Sequence, residues 1–104
     1  MATIGLKIAE MTATELGNKA NTMWKVRVAE GVGNDGTDKQ INVIFDVYES
    51  RAKYDAGENP LATAGVDHRR SLSLPIATES SETTLHQALK VVLEAEGKTV
   101  TEEV

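Results

Sequence analysis

The sequence contains no cysteine and only four aromatic residues, Trp24, Phe45, Tyr48 and Tyr54, among its 104 positions. The missing thiols exclude a disulfide, a thiolate zinc site, an iron–sulfur ligand set and a cysteine nucleophile. The shortage of rings makes the core aliphatic. Long apolar runs are lacking too: nothing approaches the roughly 20 residues that cross a bilayer. The opening MATIGLKIAEMTATELGNKA holds no continuous apolar stretch of signal-peptide length, so neither export nor a membrane is expected. What remains has the size of one soluble domain.

Basic charge is also scarce. Eleven Lys and Arg face sixteen Asp and Glu, a net charge of −5. From Glu79 to Val104 there are six acids and two bases, which leaves residues 1–78 nearly balanced. Duplex binding relies on neutralising phosphates with Lys and Arg. Here only Lys25, Arg27, Arg69 and Arg70 offer a stripe, and solvated strand faces explain them, so no nucleic-acid partner is expected. Thr101-Glu-Glu-Val reads as a solubilising tail over residues 99–104, after one α+β domain over residues 1–98.

Thr3–Ala9 alternates Ile4, Leu6 and Ile8 with Gly5 and Lys7, the period of a half-buried strand. Met11–Asn21 is polar and punctuated by Gly17 and Asn18, which suits a loop or one helical turn. Met23–Glu30 sets Trp24, Val26 and Val28 against Lys25, Arg27 and Ala29. Glu30–Gln40, with three glycines and Asn34, Asp35 and Asp38, has the chemistry of a turn. Ile41–Glu49 follows as a strand with Ile41, Val43, Phe45 and Val47 on one face, so the two strands form a hairpin with a long mobile tip. On the other face Ile44 and Tyr48 call for partial cover.

Ser50–Gly57 predicts one short helix, with Ser50 as N-cap and Gly57 as the left-handed residue past its end. Pro60 stops any continuation. An extended stretch from about Leu61 to Ile76 breaks near Gly65, and Pro75 confines its end to an edge or a strand terminus. Leu85, Ala88, Leu89, Val92 and Leu93 have helical spacing. Thr84 with Gln87 fits a capping box, and Gly97 with Lys98 marks the C-terminal end.

Strands followed by one amphipathic helix predict an α+β fold: an antiparallel four- to five-stranded sheet, the helix on one face, and a helical turn at residues 50–57. A β-sandwich with an appended helix is the competing architecture. The expected core is Ile4, Leu6, Ile8, Trp24, Val26, Val28, Val43, Phe45, Val47, Leu72 and Leu74, facing Leu85, Leu89, Val92 and Leu93. At about 1.5–3 kcal/mol per buried side chain, packing outweighs surface ion pairs.

No arrangement of residues points to catalysis. His68 and His86 are the only histidines, and a metal site would need a carboxylate such as Asp67 as well. Asn34-Asp-Gly-Thr-Asp lacks the spacing of a calcium loop. Gly31-Val-Gly-Asn-Asp-Gly matches G-x-G-x-x-G by letter, but a strand follows it rather than a helix N-terminus. Ser71 and Ser73 share a face two residues apart near Asp67-His68, without a nucleophile elbow. Neither enzyme activity, metal nor cofactor is expected. The long connection Glu49–Arg70 is the functional candidate, because hairpin loops need only two to five residues. It carries Arg51, Lys53, Tyr54, His68, Arg69 and Arg70, types favoured in protein interfaces.

The run Phe45-Asp-Val-Tyr-Glu-Ser-Arg-Ala-Lys-Tyr-Asp-Ala-Gly-Glu-Asn-Pro-Leu resembles a pattern in short bacteriophage proteins of unassigned role encoded near tail or head genes. The resemblance extends from Ile41 to Leu93, and departs at Asp67-His-Arg-Arg and in the first strand. It implies a phage or prophage origin, a virion-assembly or accessory role, and a location in the host cytoplasm or the virion. The expected function is a non-enzymatic interaction module that binds a protein partner or self-associates through the strand edges Thr3–Ala9 and Leu61–Ile76. An acidic inhibitor of a host nucleic-acid-binding protein, acting through the C-terminal quarter, is the alternative.

Overall fold

A computed structural model describes residues 2–14, 17–61 and 68–104. It has the α+β architecture. Strands β1 (Gly5–Ile8), β4 (Thr22–Asn34), β5 (Asp38–Tyr48), β6 (Arg69–Pro75) and β7 (Val100–Glu103) form a curled antiparallel sheet in the order β6-β5-β4-β1-β7. Helix α2 (Glu82–Ala95) lies across it and touches β6, β7, β4 and β1. A single core results, in which Leu6, Ile8, Trp24, Ile41, Val43, Phe45, Val47, Leu72 and Leu74 meet Leu85, Leu89 and Leu93. Trp24 stacks on Phe45 with ring centroids 4.5 Å apart.

Three expectations are corrected. The polar segment after β1 is a small hairpin, β2 (Thr12–Thr14) and β3 (Gly17–Lys19), rather than a loop or helical turn. Its β-branched threonines suit strands. Thr12 and Thr22 share a buried hydroxyl contact, and Trp24 Nε1 donates to Thr22 Oγ1 at 3.0 Å. The glycine-rich turn is shorter than its composition suggested, because β4 continues to Asn34 and β5 begins at Asp38. Asp35 closes the tip by accepting from the N–H groups of Thr37 and Asp38, which lower its pKa. Residues 99–104 are no free tail: β7 pairs along β1, so Thr3–Ala9 is an interior strand and β7 an edge.

Val28 also leaves the expected core. Val26 pairs with Phe45 but Val28 with Ile44, which makes Arg27 the extra residue of a β-bulge. A one-residue shift moves the side chains that follow to the other face, here as far as a second register shift at Val32. Val28 is therefore 41% exposed, and Ala29 and Gly31 take the positions beside Val43 and Ile41. Ile4, Val26 and Val92 are partly buried.

Both helices begin on serine. In α1 (Arg51–Asp55), Ser50 accepts from Lys53 N–H, and Gly57 follows at φ 78°. The cap of α2 is Ser81, which accepts from Thr84 N–H, so Thr84 is inside the helix rather than its cap. Tyr54 from α1 packs edge-on against Tyr48 at 5.0 Å and supplies the cover expected there. The expected break near Gly65, and Asp67, lie outside the described residues.

Candidate functional site

The six residues proposed for an interaction surface divide into two groups. On α1, Arg51 binds Asp55 at 2.9 Å, Glu103 at 3.5 Å and the Val104 carbonyl at 2.8 Å. Lys53 pairs with Glu58, and Lys25 sits 5.6 Å from the Tyr54 ring. The contacts of Arg51 with Glu103 and of Tyr54 with Lys25 fasten α1 to the sheet, while the Asp55 and Glu58 pairs stay within α1 and the loop after it. At the start of β6, His68 meets the Phe45 ring edge-on at 5.9 Å. Arg70 lies over the same ring and forms a two-pronged pair with Glu96 of α2 at 2.8 and 3.0 Å. That pair holds the Glu96 carboxyl below its ordinary value. His68 and Arg70 line a cleft of about 190 Å³ with Met11, Thr12, Ala13, Trp24 and Lys98. It is smaller than the roughly 300–1,000 Å³ of small-molecule sites. Arg69 and Arg70 border a shallower depression beside Ile44, Asn42 and Glu30. None of these clefts includes an α1 residue.

His86, weighed above as a metal ligand, has a structural task. It is fully buried on α2. Its Nε2 accepts from the Val26 N–H at 3.0 Å, where β4 has run past the end of β1. Its Nδ1 lies 2.8 Å from the Glu82 carbonyl. Only the neutral ring protonated at Nδ1 satisfies both contacts. Burial, aided by nearby Lys25, lowers its pKa. Both nitrogens are engaged, so the ring has none to offer a metal.

An open trough lies between β6 and α2, lined by Ser71, Ser73, Leu74, Thr84, Gln87, Ala88, Val91 and Val92, about 550 Å³ in volume. Its lining is largely apolar, and Val91 is 68% exposed. Beside it runs the outer edge of β6, which pairs with no strand among the described residues. Ile76 N–H donates to Thr37 O at 3.2 Å, in the same register as the β5–β6 pairs. Antiparallel bonds recur at every second residue. The N–H groups of Leu74, Leu72 and Arg70 therefore turn toward β5, and those of Ser73 and Ser71 turn outward. Pro75 falls on the outward set and has no N–H to offer. The sequence showed the alternation of β6 and the stripe of α2. It did not show that Val91, off the stripe centre, would flank an open strand edge, which only the strand order reveals.

The other edge is protected. β7 is four residues long, and Glu102 and Glu103 are tied to Thr3, Lys90 and Arg51. Such short, charged edges resist pairing. Among the described residues, no helix is long and apolar enough to cross a membrane. No family model, no curated protein and no solved structure matches the chain.

Proposed function

We propose that the protein is a non-enzymatic interaction module that accepts an extended protein segment on the free edge of β6. The segment's main chain bonds Ser71 and Ser73, and its alternate side chains enter the trough against Leu74, Ala88, Val91 and Val92. Strand addition divides recognition in this way: main-chain bonds give affinity and pockets give specificity. The observation that carries the reading is the coincidence of outward-facing edge groups with an apolar trough at the same strand. On the resemblance noted for Phe45–Leu61, the setting we propose is phage virion assembly or an accessory role.

The acidic-inhibitor alternative has less support. Glu96 is paired with Arg70 and Lys98, Glu102 with Lys90, and Glu103 with Arg51, so three of its acids are neutralised within the fold. Selection of random dodecapeptides on the immobilised protein tests the proposal. Enriched peptides should be apolar at alternate positions and should shift the amide signals of Ser71, Ser73, Ala88 and Val91. Failure to enrich any peptide, or shifts confined to the Trp24–Arg70 cleft, would refute it.

A further inference from the structure

The β6 edge is complementary to itself, and we infer that its natural occupant is the β6 strand of a second copy of this chain, in a two-fold dimer centred on Leu72. The inference rests on the strand-addition reading above and names the partner.

The first argument is register. Ser71 and Ser73 present their N–H and C=O groups on either side of Leu72. A two-fold axis through Leu72 sets Ser71 opposite Ser73 of the partner, and Ser73 opposite the partner's Ser71. Both are positions that exchange two main-chain bonds. Groups just outside this pair are already taken: the Arg69 carbonyl accepts from Arg70 Nη1 and the Pro75 carbonyl from Thr78 N–H. Only a short, centred pairing uses what is left, and an isologous contact is such a pairing.

The second argument is hydroxyl polarity on the outer face of the sheet. Ser73 Oγ accepts from Gln40 Nε2 at 3.0 Å, so its own proton is available to donate. Ser71 Oγ donates to Asn42 Oδ1 at 2.8 Å, so its lone pairs are available to accept. In the proposed register each Ser73 faces the partner's Ser71. The bonds run from Gln40 through Ser73 to the partner's Ser71 and Asn42 without a reversed donor. The two-fold produces this chain twice, and cross-strand hydroxyl pairs of this kind stabilise sheets. On the opposite face the same axis brings Ala88 and the exposed Val91 of α2 toward their counterparts, closing the trough from both sides.

Because the chain has no cysteine, single cysteines report this register directly. Sedimentation of the full chain should show a concentration-dependent dimer. Ser73→Pro removes one outward N–H per copy and leaves the β5 ladder intact, so it should weaken dimerisation by at least about thirtyfold. Far-UV circular dichroism and the unfolding midpoint show whether that variant is folded. Ser73→Ala, which keeps the backbone and removes the hydroxyl chain, should weaken the dimer less. On mild oxidation, a mixture of Ser71→Cys and Ser73→Cys should form a covalent dimer in much higher yield than either variant alone. A monomer at every concentration overturns the dimer; if selected peptides still occupy the trough, strand addition survives, and if none does, both readings fail. A dimer with equal cross-linking in mixed and single samples also overturns the proposed register.

Discussion

Replacing His86 with leucine tests the central packing argument. Leucine keeps most of the side-chain volume but cannot accept the Val26 N–H, which then lies buried between β4 and α2 with no partner. An unsatisfied buried donor costs about 1–3 kcal/mol. At about 4–8 °C per kcal/mol for a domain near this size, a loss of about 2 kcal/mol lowers Tm by about 8–16 °C. Glutamine, whose Oε1 can occupy the place of Nε2, should recover part of that loss. The substitution should also alter the pH dependence. In the fold, burial, aided by nearby Lys25, keeps the ring pKa below its ordinary value near 6.5. Between that value and the lowered one, the unfolded chain binds a proton that the folded chain refuses, so stability rises with pH. His86 thus contributes fully above about pH 6.5, and its contribution is lost as the pH falls through its folded pKa. Urea titrations from pH 7.5 to 5 should show this slope in the wild type and not in His86→Leu. A separate loss in more acid solution remains in both, because Glu96 and Glu102 are held low by bonds to Arg70 and Thr3. Equal slopes in the two proteins, or imidazole nitrogen spectra showing a proton on Nε2 at pH 7, would refute the reasoning.

Four further outcomes are expected. Arg70→Lys loses the two-pronged contact to Glu96 and the position over Phe45; urea unfolding should show a loss of about 1 kcal/mol, as for a partly exposed charge pair. Gly5→Ala places a Cβ 2.5 Å from Met23 Cε and 3.1 Å from the Trp24 carbonyl; the overpacking should cost about 1–3 kcal/mol, with Met23→Ala relieving part of it in a double-mutant cycle. Ending the chain at Lys98 removes β7 with its buried Val100 and uncovers β1; thermal unfolding should show a loss of at least about 2 kcal/mol, where removal of a solvated tail would show none. Val28→Thr should change stability by less than about 0.5 kcal/mol, and Val26→Thr should change it more, because the bulge at Arg27 turns only Val28 to solvent.

The helices and the long strands were legible because their signals are local. Leu85, Leu89 and Leu93 define one helical face whatever they pack against, and Ser50 and Gly57 bracket a helix by their own conformations. Period two placed Leu6, Ile8, Trp24, Val43, Phe45 and Val47 correctly up to Arg27, but a bulge leaves no mark in composition, so Val28 was misplaced. The β2–β3 hairpin was hidden because its threonines are polar, although their branching suits strands. β7 was hidden because four residues ending in two acids look solvated unless the strand they pair with is known. The interaction residues Arg51, Lys53 and Tyr54 were chosen by type; the fold engages Arg51 with Glu103 and Tyr54 with Tyr48, and leaves Lys53 exposed beside Glu58. Whether an edge is open depends on strand order, and no residue pattern records that.

Strand order has one more consequence. The first and last strands are adjacent, with Ile4 N–H on the Glu103 carbonyl at 2.8 Å and Thr3 Oγ1 on Glu102 at 2.7 Å. Pairing them closes a loop of nearly the whole chain, the kind of long-range contact that slows folding. A short glycine linker from Val104 to Ala2, with new ends cut between Glu79 and Ser80, outside every strand pair of the sheet, would turn that closure into an ordinary hairpin. Such a circular permutant should keep the architecture and reach it faster, because the slowest join has become the most local one.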